Sequence, residues 1–362
     1  MIVLGLESSC DETAAALLQE GTRILSSAVA SQIDVHHHYG GVVPELASRE
    51  HVDNIVVVVQ ECFRQAAREG RPLGFQDLDG IAVTRGPGLM GALLVGLAYA
   101  KGLAYALDIP LLGVNHLQGH LASIFLEHPK AELPALALVV SGGHTNLYYL
   151  KEGGGEEARE GGQAAGFQSE LLIRTLDDAA GEALDKLSKL LGLGYPGGPV
   201  IERLAGRGNP QAVRFTLPKI GDGSHSFSFS GLKTAALRHV KRQKLTPLTA
   251  DQADDPEKLP KSVLDLAASF QKAVVDQLLD RLQHFLSGRR VRSVHISGGV
   301  SCNSELRRRA RSLFQQRGLP VYFPSPPLTT DNAAMIAAAG YRRLAAGQRD
   351  DWNLKANPSL RL

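Results

Sequence analysis

The stretch LPALALVVSGGHTNLYYL, residues 133–150, gives the clearest indication of the fold. It predicts an apolar strand, a Ser-Gly-Gly turn and a second strand, and residues 1–19, MIVLGLESSCDETAAALLQ, repeat this hairpin plan. Residues 293–310, SVHISGGVSCNSELRRRA, place another Gly-Gly turn after a strand and before a helix. We therefore expect a duplicated α/β architecture, with a ligand cleft between its halves at the carboxyl ends of strands.

The segments between these hairpins predict further strands and helices. Residues 109–115, IPLLGVN, read as a strand that delivers His116 to a helix start. Residues 89–107 predict a helix of small residues that is packed on most sides. Residues 36–51 read as a proline-bearing loop, followed by an apolar helix in residues 52–70.

The order of these elements suggests two lobes. Residues 320–347 read as a strand, a loop and a helix. We expect an N-terminal lobe of residues 1–128 that is completed by the C-terminal helix 331–347. The second lobe spans residues 129–330 and carries an inserted polar loop at about 241–261, where prolines and charges interrupt the pattern.

Composition excludes several protein classes. A chain of 362 residues suits two lobes better than one core. Lysine plus arginine is 39 against 37 for aspartate plus glutamate, so the net charge of +2 neither demands nor excludes nucleic acid. Three distant cysteines without a CxxC pair argue against a disulfide framework. The N-terminus reads as a strand rather than a signal peptide, and the longest apolar run stops at Lys101, so we expect a soluble, cytoplasmic protein without a membrane span.

Two histidines four residues apart, His116 and His120, indicate a metal site. On a helix this spacing places both imidazoles on one face, as in the zinc metalloproteases. Those enzymes carry a glutamate after the first histidine, where this chain has Leu117. Asp331, at a predicted helix start, is a candidate third ligand. The alternatives are an N-cap role for Asp331 and a helix face with one buried and one solvated imidazole.

Glycine turns and a row of carboxylates are further candidates for ligand contacts. The Ser-Gly-Gly turns at 141–143 and 297–299 let backbone N–H groups approach an anion, although neither is a Walker A loop. Asp178, Glu182 and Asp185 lie on one face if residues 175–191 are helical. Such a row is typical of a solvated face, but one carboxylate could also accept a hydrogen bond from a polar ligand.

Taken together, the motifs resemble the TsaD/Gcp family of tRNA N6-adenosine threonylcarbamoyltransferases. They extend from the N-terminus to about Tyr341 and comprise ESSCDETAAAL, YGGVVPELASREH, RGPGLMGALLVG, NHLQGH, LVVSGGHTNL, DDAAGEALDKLSKLLGLGYPGGP, FSFSGLKTA, SGGVSCNSELR and TTDNAAMIA. The resemblance implies a two-lobed actin/Hsp70-like (ASKHA) fold with a duplicated RNase H-like core. It also implies transfer of threonylcarbamoyl from L-threonylcarbamoyladenylate to N6 of the adenosine immediately 3′ of the anticodon, in tRNAs that read codons beginning with A.

The resemblance also assigns residues, but no catalytic side chain. It places one divalent metal ion per chain on His116, His120 and Asp331, with Fe²⁺ favoured and Zn²⁺ as the alternative. The substrate contacts that it implies are Val139, Val140, Ser141, Gly142, Gly143, Asp185, Gly198, Glu202 and Asn303. Many relatives carry aspartate at the position of Glu202. The sequence HHHYGG departs from the commoner family pattern, which leaves the roles of His37 and His38 open.

The partners that the resemblance implies are tRNA, an adenine nucleotide, an inactive TsaB-like paralogue and a small TsaE-like ATPase. Two basic runs, residues 238–244 and 307–312, are candidates for RNA contact, and we favour the first because it precedes the polar insertion.

Three alternative functions remain. A metal-dependent peptidase would need a general base where NHLQGH offers Gln118. An ATP-dependent chaperone or kinase of the same fold would use the turns without the histidines, and a non-catalytic binding module would need neither.

Overall fold

The computed structural model describes residues 1–68, 70–153, 167–216, 225–248 and 259–362. Its strands are β1 (Ile2–Glu7), β2 (Glu12–Gln19), β3 (Arg23–Ser31), β4 (Ala67–Arg68), β5 (Arg71–Pro72), β6 (Gly80–Gly86), β7 (Leu111–Asn115), β8 (Ala135–Val140), β9 (Thr145–Glu152), β10 (Phe167–Arg174), β11 (Ser293–Ser297) and β12 (Val321–Tyr322). Its α-helices are α1 (Ile33–His37), α2 (Pro44–Gln65), α3 (Met90–Leu107), α4 (His116–Glu127), α5 (Ala180–Leu191), α6 (Gly197–Ala205), α7 (Ser230–Arg242), α8 (Lys261–Leu286), α9 (Ser304–Gln315), α10 (Pro326–Thr329) and α11 (Ala333–Ala345). Short 3-10 helices span Phe75–Asp77 and Gly299–Cys302.

The first sheet has the strand order β3-β2-β1-β6-β7. The opening hairpin pairs β1 with β2 antiparallel, with Ile2 opposite Gln19. Strand β6 then lies parallel to β1, and β7 parallel to β6, because helix α3 returns the chain between them. The carboxyl ends of β1, β6 and β7 therefore meet at one edge of this sheet.

The second sheet repeats the plan with the order β10-β9-β8-β11-β12. Here β8 and β9 form the antiparallel hairpin, with Ala135 opposite Leu150, and β11 and β12 follow in parallel. Two sheets with the same order and the same strand directions confirm the predicted duplication of an RNase H-like core.

The two sheets and their helices form five layers. Helices α2 and α3 cover the outer face of the first sheet, in a core that includes Leu4 and Val83. Helices α4 and α11 lie between the sheets, packed against Val3 of the first and Ala137 of the second. Helices α5 to α9 cover the outer face of the second sheet. Because α4 and α11 contact both sheets, they place their residues between the two lobes. The lobe boundary at residue 128 stays a prediction.

The structure corrects three expectations for individual segments. Helix α2 begins at Pro44, within the stretch expected to be a loop, because proline is favoured in a first helical turn. Helix α3 is not packed on most sides, since Leu94 and Tyr105 are 51% and 76% exposed. It ends at Leu107, as predicted, but contrary to the expectation from its apolar run it could cross a membrane by length and composition, a test that core helices also pass. Of the expected insertion, residues 249–258 lie outside the described residues.

The C-terminal tail returns to the first lobe. The backbone N–H of Asp350 donates to the carbonyl of Leu111 on β7 (2.8 Å), and its carboxylate accepts from Gly113 N (2.7 Å). Further on, Leu354 is buried in the core beneath α2 and α3. Asn357 N then donates to the carbonyl of Arg85 (2.7 Å). Both ends of the chain thus belong to the first lobe.

Candidate metal and substrate site

The junction of β7 and α4 places two histidines at one edge of the first sheet. Asn115 ends the strand and caps the helix, its side-chain oxygen accepting from Leu117 N (2.9 Å). His116 is then the first helical residue and His120 lies one turn later. Their ring centroids are 4.8 Å apart. Both are buried, at 4% and 0% exposure, which excludes the alternative with one solvated imidazole.

Asp331 faces this pair from the turn before α11. Its Oδ1 lies 3.4 Å from His116 Nε2 and 3.2 Å from His120 Nε2. The N-cap alternative for Asp331 is wrong, because the side chain of Asn332 accepts from Met335 N and caps the helix instead. The carboxylate of Asp331 is thereby left to point at the histidines. Donor atoms of all three residues lie within 4.8 Å of one another.

A buried carboxylate contacts the side of the His116 imidazole that faces away from Asp331. Glu7 Oε2, at the end of β1, lies 3.0 Å from His116 Nδ1 and accepts from Thr84 Oγ1 (2.6 Å). Ser9 Oγ lies 3.2 Å from the same imidazole nitrogen. A carboxylate on Nδ1 fixes the orientation of the ring and leaves Nε2 facing Asp331, the arrangement typical of a metal-binding histidine.

The electrostatics of this site favour a cation. Burial alone would lower the pKa of His116, but the carboxylates of Asp331 and Glu7 outweigh it and raise that pKa to about 9. Burial alone would raise the pKa of Asp331, and the two histidines hold it well below its ordinary value. Neither ring nitrogen of the buried His120 has a hydrogen-bond partner among the described residues; its 3.2 Å contact with Asp331 is not aligned as a hydrogen bond. Two nitrogens and one carboxylate oxygen therefore fit a divalent transition metal ion.

The Ser-Gly-Gly turn after β8 opens beside these histidines. Ser141 N donates to the carbonyl of His144 (2.8 Å), which closes the turn, and Gly181 N at the start of α5 donates to the carbonyl of Ser141 (3.2 Å). A Cβ added to Gly142 or Gly143 would meet nothing within 4 Å. The ring centroid of His144 is 6.3 Å from that of His116. The exposed glycines thus border the same cleft as the metal-binding candidates.

The other candidate contacts hold the elements around this turn. The Asp185 carboxylate accepts from Gly197 N (2.7 Å), and burial raises the pKa of Asp185. Glu202 Oε1 accepts from Ser304 N (2.7 Å), which links α6 to α9. Asn303 caps α9 by accepting from Leu306 N and donates to Gln271 (2.8 Å). Gly198 has open space where a Cβ would lie, and Val139 and Val140 are fully buried in β8.

The carboxylate row predicted on α5 is only partly present. Asp178 lies before the helix begins, and both Asp178 and Glu182 pair with Lys186 at 2.5 and 2.8 Å. Asp185 is therefore the member of the row that remains directed at the Gly197 turn. Sequence reasoning did not assign Glu7 or His144 to the site. The available signal was their position in the two hairpins: Glu7 is the last residue of β1, and His144 lies in the turn between β8 and β9.

Comparison with known proteins gives a consistent result. The family model for TsaD, tRNA N6-adenosine threonylcarbamoyltransferase, matches residues 23–338. A protein of that name from Symbiobacterium thermophilum is 49% identical over 362 residues, which cover 100% of this chain and 97% of the relative. A protein of the same name from Koribacter versatilis is 47% identical, covering 100% of this chain and 99% of the relative.

Solved structures agree on the fold. HypF of T. kodakarensis superposes with a TM-score of 0.54 at 17% identity, covering 95% of this chain and 48% of HypF. Component A of the (R)-2-hydroxyglutaryl-CoA dehydratase of Acidaminococcus fermentans gives a TM-score of 0.51 at 15% identity, covering 96% of this chain and all of that one. Together with the repeated sheets, these likenesses confirm the two-lobed actin/Hsp70-like fold.

Proposed function

The chain belongs to the TsaD family of tRNA N6-adenosine threonylcarbamoyltransferases, and we propose from this premise how its cleft performs the transfer. The donor is L-threonylcarbamoyladenylate and the acceptor is N6 of the adenosine immediately 3′ of the anticodon, in tRNAs that read codons beginning with A. The observation that carries the proposal is the buried His116, His120 and Asp331 cluster beside the exposed Gly142 and Gly143.

We propose that this cluster holds one divalent metal ion. Two observations support this metal site: the ring nitrogens of His120 have no hydrogen-bond partner among the described residues, and the Glu7 carboxylate contacts His116 Nδ1. The resemblance favours Fe²⁺ over Zn²⁺, and the donor set suits either ion. When bound, such an ion would supply Lewis acidity for the threonylcarbamoyl group.

Besides holding the metal ion, the protein has to align the acceptor amine with the adenylate, and it does not have to activate a water molecule. A mixed phosphoric anhydride is already reactive, so the chain must position a weakly nucleophilic amine and stabilise developing negative charge. The backbone N–H groups of Gly142 and Gly143 can donate to the adenylate because glycine admits close approach. Asp185, Gly198 and the Asn303 region would border its nucleotide.

The peptidase alternative finds no support in this geometry. The position after His116 is Leu117, and the nearby Glu7 is fully buried and already bonded to His116 and Thr84. A hydrolytic base at this point would destroy the activated donor. Nothing in the cleft favours a chaperone or kinase function either.

We also propose that accessory proteins assist this chain, namely an inactive paralogue and a small ATPase. The outer face of the α2–α3 pair exposes apolar side chains that a partner would cover: Val52, Val56, Val57, Met90 and Leu94. Several exposed apolar side chains on one helix pair support a protein-binding surface.

The decisive test of the transfer is direct. Purified chain, L-threonylcarbamoyladenylate and unmodified tRNA would be incubated with and without the accessory proteins. Nucleoside analysis by mass spectrometry should reveal threonylcarbamoyladenosine only in tRNAs that read codons beginning with A. Absence of product in the complete mixture would refute the proposed reaction.

A further inference from the structure

The exposed half of α7 carries positive charges without any negative ones. Residues 230–248 contain no aspartate or glutamate. Three buried side chains at intervals of four residues turn one side of the helix to the core, namely Leu232, Ala236 and Val240. The rest of its circumference and its C-terminal end carry Lys233, Arg238, Lys241, Arg242 and Lys244, all exposed.

The part of the chain that the structure describes offers these cations no neutralising group. Within the described ranges, no carboxylate pairs with any of them, and Arg242 has only a 3.3 Å contact with His239 Nδ1. A protein of net charge +2 gains nothing in solubility from such clustering. An uncompensated basic helix face is instead typical of a surface that binds a polyanion.

The arginines of the second basic run, on α9, contact other residues of the protein, unlike the cations of α7. Arg308 pairs with Glu305 (2.8 Å), and Arg309 pairs with Asp276 (2.6 Å). Arg307 donates to the carbonyls of Ser301 (2.6 Å) and Pro324 (2.7 Å). Arg308 and Arg309 are therefore paired with carboxylates and Arg307 stabilises the second lobe, while Arg311 lies over the ring of Phe323. This difference separates two runs that the sequence alone leaves as competing candidates.

The position of α7 suits a substrate that enters the cleft. Asp177, three residues before α5, accepts hydrogen bonds from the side chains of Ser228 and Ser230 (both 2.6 Å) and from Phe229 N (2.8 Å). The first turn of α5 in turn contacts the Ser141 carbonyl. The N-terminus of α7 is thus tied to the rim of the cleft, and the helix leads away from it.

Resting on the proposed function, we propose that the exposed face of α7 binds the phosphate backbone of the tRNA while its adenosine occupies the cleft. From Lys233 to Lys241 the helix rises by about 12 Å, which is long enough to follow several phosphates of one strand. Such contacts fix the position of the RNA without reading its sequence.

Two matched double variants test this surface. Arg238→Gln/Lys241→Gln removes two charges from α7, and Arg308→Gln/Arg311→Gln removes two from α9. Binding of fluorescein-labelled tRNA to each full-length protein would be measured by anisotropy across a potassium chloride titration. We expect the α7 variant to lose affinity by roughly tenfold and its log–log salt slope to fall by about 1.4 to 1.8, since each phosphate contact contributes about 0.7 to 0.9. The α9 variant should keep the wild-type slope.

Equal effects of both variants, or a larger effect on α9, would overturn the assignment. So would an absence of tRNA binding by the wild-type chain, because the surface lies on this chain alone. Metal content and adenylate binding should remain at wild-type values in both variants. If the wild type modifies tRNA and the α7 variant binds it unchanged, only the surface is wrong; if the wild type modifies no tRNA in the complete mixture, the proposed function itself fails.

Discussion

His37 Nδ1 lies 2.8 Å from the carbonyl oxygen of Tyr195, and this contact joins the two lobes across the mouth of the cleft. The Tyr195 hydroxyl lies 3.4 Å from Asp11 Oδ2 in the opening hairpin, and Lys189 Nζ lies 3.3 Å from the carbonyl of Tyr39. The turn of Tyr195 leads directly into Gly197, which is anchored on Asp185. The C-terminal end of α1 at His37 therefore fixes one wall of the candidate nucleotide site.

Replacing His37 should weaken the closed arrangement. In His37→Ala the Tyr195 carbonyl loses a donor, and a single such bond contributes about 0.5 to 1.5 kcal/mol. We expect KM for the adenylate to rise by roughly two- to tenfold, with kcat changing less. The control is His38→Ala, because His38 is exposed and makes only an edge contact with His37. Equal KM values for both variants would show that the contact has no part in substrate binding.

Replacing a member of the metal cluster should cause loss of the bound metal. His116→Ala and Asp331→Ala each remove one of three donors, so elemental analysis of the purified proteins should find substoichiometric metal. His239→Ala, a change on the α7 surface, should retain the wild-type content. Full metal content in both cluster variants would exclude these residues as ligands.

Glu7→Gln tests the group behind His116. The substitution preserves the size of the side chain but removes the charge that orients and polarises the imidazole. Outer-shell changes of this kind typically lower metal affinity by about 10- to 100-fold. Competition titration against a chelator with Zn²⁺ would measure it, with the exposed Glu45→Gln as control. An unchanged dissociation constant would mean that Glu7 serves only the packing of the hairpin.

Gly142→Val tests the open turn. The added side chain would extend into empty space, so the melting temperature should stay within a few degrees of wild type. It would nevertheless block backbone N–H groups from a bound anion, whose charge-assisted bonds are worth about 1.5 to 3 kcal/mol. Calorimetry should therefore find adenylate binding weakened by roughly tenfold or more. Gly102→Ala, on an exposed part of α3, is the matched control. Tight binding by Gly142→Val would place the adenylate elsewhere.

His295 predicts an acid sensitivity unrelated to the site. Burial, with a smaller effect of the nearby His128, lowers the pKa of His295 from 6.5 to about 3. Between these values the unfolded chain binds a proton that the folded protein excludes, so folding stability falls as pH decreases. From pH 7 to 5.5 the loss from this residue is about 1 kcal/mol. Urea unfolding of His295→Phe should lack this component. Parallel pH curves for wild type and variant would contradict it.

The features that could be predicted from the sequence are those that depend on residues close together in the chain. Both hairpins, the β7–α4 junction and the members of the metal cluster follow from short motifs with regular spacing. Strands β3 and β10 and the long helix α8 were not predicted. The two strands pair with the preceding strands β2 and β9, but strand formation depends on such pairing and packing more than on the pattern within the segment. The contact of Glu7 with His116 spans 109 residues, and no local pattern reveals such a pair. The capping choice between Asp331 and Asn332 likewise depended on the fold.

The return of α11 and the tail to the first lobe has a consequence for biosynthesis. Helix α11 packs against Val3 and Ala16 of the opening hairpin, and Leu354 enters the core beneath α2 and α3. These surfaces of the nascent N-terminal segment therefore stay uncovered until α11 and Leu354 have been synthesised. Domains that are contiguous in sequence can fold one after another during synthesis. Here the first lobe is translated first but can finish folding only after α11 has been made. A product truncated before α11 would lack part of the helical layer that lies between the two sheets.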